Sequence, residues 1–225
     1  GLCAVAASFF LKDKRERVST EKKSTPLFSF LKYWKVSPLM YRKVVIGLLL
    51  FALFNSSDVF LLLKAKQDGL TDTAIIGVYI FYNLVYALFA FPIGIAADKI
   101  GLKNMFIFGL SLFAIVYFGM SSNTTLYAFI GLFFLYGMYA AATEGISKAW
   151  ISNVTDKNDT ATAIGTYSGF QSICTMIASS LAGVLWYHFG ASATFIVTGI
   201  ATVVIIVYFF SIVVNSKEQH IPIDK

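Results

Sequence analysis

The sequence predicts an all-α integral membrane protein, a bundle of six transmembrane helices, and three observations carry that prediction. Hydrophobic residues make up 57% of the 225 positions, and mean hydropathy is +0.72. Charged residues make up 13%, where a soluble domain carries roughly 25%. The apolar residues gather into six runs of roughly 20, the length that crosses about 30 Å of hydrocarbon. A water-soluble chain of this size cannot bury that much apolar surface in one core. A bilayer can accept it.

The elements follow in order. Gly1 to Leu11 is apolar but too short to span, and no basic segment precedes it as in a signal peptide. It reads as the end of a helix that begins upstream, which makes the chain a fragment. Residues 12–43 are polar and basic and read as a linker. Within them, Leu27 to Tyr41 mixes aromatic residues with Lys32 and Lys35. That part reads either as an interfacial amphipathic segment or as plain linker. The spans are expected at about 44–63, 74–97, 104–120, 125–146, 161–187 and 192–214. Pro92 falls late in the second, where neighbouring helices can satisfy the carbonyl it frees. Residues 215–225 form a polar tail.

Charge fixes the expected topology. Net charge is +6, from 18 Lys and Arg against 12 Asp and Glu. Nucleic acid is excluded as the partner, because the basic residues lie in short loops between apolar runs rather than on one patch. Sixteen of the eighteen fall in residues 12–43, 98–103, 147–160 and 215–225, and two in residues 64–73, 121–124 and 188–191. By the positive-inside rule, the linker and the C-terminal tail are cytoplasmic. The expected location is a multi-pass protein of the cell (inner or plasma) membrane.

Between the second and third spans the chain reads Gly94-Ile-Ala-Ala-Asp98-Lys99-Ile-Gly101-Leu-Lys103. This resembles the signature loop of the major facilitator superfamily, in which a glycine is followed by acidic, basic, glycine and basic positions. Gly94, Asp98, Lys99, Gly101 and Lys103 match. Leu102 departs from the basic residue common there, and Lys99 stands for the usual arginine. The resemblance extends to the whole chain. It implies that residues 1–11 end the sixth helix of a twelve-helix transporter, that 12–43 is the central loop, and that the six spans are its C-terminal half. The missing N-terminal half is then the main partner, beside lipid and a small-molecule substrate. In the family the acidic position locks one state by touching the other half. Here Gly94 is expected to let helices approach closely, Gly101 to make a tight turn, and Asp98 to meet a helix N-terminus. Lys99 or Lys103 is a candidate to pair with Glu144. The alternative is that these are topology-setting loop charges only.

Candidate transport residues come from polar groups inside spans. A carboxylate at a helix centre costs about 2.5–3 kcal/mol on insertion scales, so it needs a partner, a cavity or a proton. Asp58 follows Asn55-Ser56-Ser57 in an otherwise Leu- and Phe-rich run. It reads as a proton or substrate site, or as a structural carboxylate that pairs with Lys64 or caps a helix. Glu144 precedes Lys148 by four residues, the spacing of a stabilising helical pair, and is assigned a structural or gating role. Tyr79, Asn83 and Tyr86 share one face of the second span at i, i+4 and i+7. Tyr82 lies on the same span, Tyr136 and Tyr139 on the fourth, and Tyr167 and Gln171 on the fifth. Asn83 and Gln171, as amides within spans, are the uncharged residues expected to face a cavity. Gly165, Gly169, Ser179, Ser180 and Gly183 read as a close-packing surface.

The sequence carries no nucleophile elbow, phosphate-binding glycine loop or metal-ligand cluster, so neither enzyme chemistry, a cofactor nor a metal is expected. Cys3 and Cys174 read as buried small hydrophobes. The expected function is secondary active transport of a small solute by alternating access, coupled to protons because Asp58 is the obvious titratable group within a span. The competing expectation is a non-transporting membrane interaction or regulatory protein with the same fold.

Overall fold

A computed structural model of the chain describes residues 29–122 and 125–212. Gly1 to Leu11, residues 12–28 of the linker, residues 123–124, Cys3 and the tail 215–225 lie outside the described residues. The elements are α1 (Ser29–Val36), α2 (Leu39–Ala52), α3 (Val59–Gln67), α4 (Asp72–Ile100), α5 (Leu102–Met120), α6 (Leu126–Asn153) and α7 (Thr160–Ser211). The described residues hold helices and no strand, as the apolar runs require. Four helices, α4 to α7, are each long and apolar enough to cross a membrane.

The first span differs from its expectation of one helix over 44–63. It breaks between Ala52 and Val59. Asn, Ser and Asp offer the backbone side-chain hydrogen bonds that compete with helical ones, and four of them in succession stop the helix. The Ser57 hydroxyl accepts a bond from the Val59 amide at 3.4 Å. The Ser57 amide donates to the Ser179 hydroxyl of α7 at 3.3 Å. Non-helical backbone is tolerated at membrane depth only where protein or a cavity covers it, and Ser56 is buried.

The other spans run longer than their apolar cores. α4 starts at Asp72, where the Thr71 hydroxyl accepts from the Ala74 amide at 3.3 Å. It ends at Gly101, whose φ of 91° and ψ of 140° only glycine adopts without strain. α6 continues to Asn153, so half of the loop expected at 147–160 is helix. Hydropathy falls there before the helix does. Trp150 and Ile151 are buried and hold this extra turn onto the core. The turn expected at His188 to Ala191 narrows to one non-helical residue, Gly190, inside α7. Its two arms are residues 160–189 and 191–211.

α5 sits at the centre, packed on α6 and on α7, while α4 packs on α6 and α2 on α7. Tyr41 donates to the Ala163 carbonyl of α7 at 2.9 Å. The segment around α1 is docked rather than loose. Tyr33 is buried, and Trp34 lies edge-on to Tyr41 and to Phe170 at 6.2 and 5.8 Å. Its Val36 remains exposed, as one face of an interfacial helix would be.

The close-approach glycines are not the expected ones. A Cβ on Gly165, Gly169 or Gly183 would meet nothing closer than 4.0 Å. On Gly137 it would lie 2.7 Å from the Tyr82 carbonyl and 2.8 Å from Val85. Gly137 therefore sets how near α6 comes to α4, and with it the position of Tyr82.

Candidate functional site

The break in the first span places Asp58 against two other helices. Its carboxylate accepts from the Tyr82 hydroxyl of α4 at 2.8 Å and from the Tyr136 hydroxyl of α6 at 2.6 Å. Bonds from hydroxyls to a carboxylate are short and about twice as strong as neutral ones. Asp58 is half-buried. It neither caps α3 with its side chain nor pairs with Lys64. Lys64 is taken by Asp68 at 2.7 Å, with both side chains under 10% exposed (4% and 8%). Asp58 is thus held by tyrosine hydroxyls rather than paired with Lys64. Among the described residues no Lys, Arg or His is in ion-pair contact with it.

Aromatic rings extend the site. Tyr79 meets Tyr82 at 5.3 Å between ring centres, Tyr82 meets Tyr136 at 5.4 Å, and Tyr136 meets Tyr139 at 5.2 Å. Asn55, from the same break as Asp58, donates to the Tyr139 hydroxyl at 3.1 Å. Asn55, Tyr139, Glu144, Tyr167 and Gln171 line one cavity of about 50 Å³. Five helices or helix ends therefore contribute to one polar region.

Of the expected residues, Asn55, Gln171 and Glu144 line the same cavity, Asp58 joins them through the Tyr136–Tyr139 pair, and Tyr79 flanks the cluster with 42% of its surface exposed. Asn83 does not join. Its side-chain amide donates to the Tyr79 carbonyl one turn back on its own helix, at 2.8 Å. Tyr86 lines a different groove, of about 400 Å³, with Gly94, Asp98 and Gly145. Tyr82 lies three residues past Tyr79 and four before Tyr86, on the same side of α4, and it is the one that reaches Asp58. Tyr82 and Tyr136 carry the site without any sequence spacing that links them. The available signal was chemical: a tyrosine hydroxyl deep in an apolar run needs a partner, and Asp58 needed donors.

The motif loop also departs in part from expectation. Gly94 does not bring helices together, since an added Cβ would meet no atom within 4 Å. It leaves the groove open instead. Asp98 and Lys99 are exposed, and neither is in an ion pair among the described residues. Lys103 turns to the end of α7, where its ammonium donates to the carbonyls of Phe210 and Ile212. It does not pair with Glu144. Glu144 and Lys148 are both exposed, and the pair expected between them is not formed.

The family model for the major facilitator superfamily matches residues 63–224. The chain belongs to the major facilitator superfamily. The matched stretch contains the motif loop but starts past Asp58, so the polar break lies ahead of it. The chain is also similar to an uncharacterized MFS-type transporter of Methanocaldococcus jannaschii, 34% identical over 143 residues. That alignment covers 61% of this chain and 36% of the relative, so the chain spans about a third of the length of the curated relative it matches. As a member of the superfamily built from long apolar helices, it is a multi-pass membrane protein.

Proposed function

We propose that this chain supplies the C-terminal helical bundle of a secondary active transporter, which moves a small solute by alternating access with proton coupling. The observation that carries the reading is Asp58, a carboxylate in a broken helix, held by Tyr82 and Tyr136 from two further helices. Discontinuous helices near the midplane are where such carriers bind solutes and coupling ions. Family membership and the named relative's description as an MFS-type transporter support transport in general. The remaining parts of the reading rest on charge and on the family. The linker and tail lie in the cytoplasm, the membrane is the cell membrane, and the preceding half of the same protein completes the solute path and meets Asp98. The exposed faces of α4, with Tyr79 and Leu84 open, leave surface for that half.

The test is counterflow in proteoliposomes holding the complete natural protein, screened over sugars, organic acids, peptides and drugs. A transported solute whose uptake depends on a proton gradient is expected. Asp58→Asn should abolish that dependence. Unchanged proton-driven uptake in the Asp58→Asn variant would remove Asp58 from the mechanism.

A further inference from the structure

Resting on that reading of Asp58, we propose that the site takes an organic cation, an amine or quaternary ammonium group seated on the Asp58 carboxylate among Tyr79, Tyr82, Tyr136 and Tyr139. Three observations lead there. The charged residue inside the first span, Asp58, is acidic, while the basic residues of the described helices lie toward helix ends. The nearest ammonium on the same broken helix, Lys64, is consumed by Asp68. The negative charge at Asp58 thus has hydrogen-bond donors but no cationic partner among the described residues, and in a low-dielectric setting a carboxylate without a counter-charge favours binding one.

The aromatic rings beside the carboxylate suit the same charge. Four tyrosine rings follow one another at 5.2 to 5.4 Å between centres, and their faces attract a cation within about 6 Å. The two hydroxyls on Asp58 fix the carboxylate while leaving it half-buried rather than sealed. Tyr117, 1% exposed, stands behind this network within reach of Ser56 and Asp58. One carboxylate neutralises one positive charge, so the guest is a monocation at Asp58.

The experiment measures binding and counterflow with the complete natural protein, using choline and ethidium as cations, glucose as the neutral comparator and succinate as the anion. Binding is read in detergent by quenching of intrinsic fluorescence and by thermal stabilisation. Cation binding and counterflow are expected, weakened at least about tenfold by Asp58→Asn and restored in part by Asp58→Glu. Size-exclusion profiles confirm that both variants fold. Counterflow confined to glucose or succinate would overturn the cation assignment while leaving transport in place. Cation binding without counterflow of any probe would uphold the site and overturn transport. Cation binding equal in wild type and the Asp58→Asn variant would overturn the assignment to Asp58, and no binding of either cation would overturn the proposal.

Discussion

Residues 53–58 and Gly101, within the loop expected at 98–103, both interrupt the helical run, but in different surroundings. At 53–58 the chain leaves the helix inside an apolar span, and other helices satisfy it: Ser179 for a backbone amide, Tyr82 and Tyr136 for Asp58, Tyr139 for Asn55. At 98–103 the chain turns between two completed helices with one glycine at positive φ. There Asp98 and Lys99 stay exposed and only Lys103 reaches another element. Where water is absent, a polar group must recruit partners from distant sequence. At a helix end, local geometry is enough. The first interruption is therefore coupled to the whole bundle, and the second can be altered with local consequences.

Closing the break should have the largest effect. Replacing Asn55, Ser56 and Ser57 by Leu, Ala and Leu favours one continuous helix and moves Asp58 off Tyr82 and Tyr136. Transport by the complete protein should fall on the order of 100-fold, as a misplaced catalytic or binding group does, while membrane insertion and expression persist. Uptake together with protease protection would check this. Retained uptake would mean that the break is incidental.

Next come the two tyrosines. Removing one donor to a charged acceptor costs about 1.5–3 kcal/mol, or roughly a tenfold to hundredfold loss in an equilibrium constant. Tyr136→Phe should weaken solute binding more than Tyr82→Phe, because its bond is shorter, 2.6 against 2.8 Å. Equal, negligible effects from both would show that the hydroxyls do not support Asp58.

Gly101→Ala acts on the other interruption. Its φ of 91° is one that L residues rarely adopt, and forcing it costs about 1–3 kcal/mol. Thermal unfolding in detergent should shift down by a few degrees, with solute affinity little changed. A larger loss of affinity than of stability would show that the loop and the Asp58 site are coupled.

Lys103→Met should have the smallest effect. It removes a cation from the C-terminal carbonyls of α7, worth about 0.3–1 kcal/mol. Hydrogen exchange at residues 210–212 should quicken, with the rest of the bundle unaffected. Unchanged exchange there would show that this contact does not hold the end of α7.

Much of the fold was legible. The apolar runs marked every long helix, because a bilayer imposes a length of about 20 residues on anything that spans it. Boundaries drifted where helix outlasted hydropathy, as at Asn153. The break at 53–58 was visible only as a polar patch: the sequence showed four poor helix formers but not that Ser179 and two tyrosines would stabilise a non-helical path. The candidate site was half legible. Asp58, Asn55 and Gln171 stood out by chemistry alone. Tyr82 was one of several span tyrosines, and its pairing with Asp58 was not legible, because that depends on how α4 sits against α6, which Gly137 controls.

The sequence by itself determined that the chain is a helical membrane bundle of the major facilitator type, since apolar length, charge asymmetry and the Gly94 to Lys103 loop are all local properties. Tertiary structure alone decided which apolar helix is central and which polar residues meet. α4 has a mean hydropathy of 2.0 with 17% of its apolar stretch buried, and α5 has 1.6 with 56% buried. Hydropathy cannot rank them, because lipid tails and protein interior are nearly equal solvents for Leu and Phe. Packing and hydrogen bonding between helices do, and they also bring Tyr82 and Tyr136, 24 and 78 residues away in sequence, onto one carboxylate.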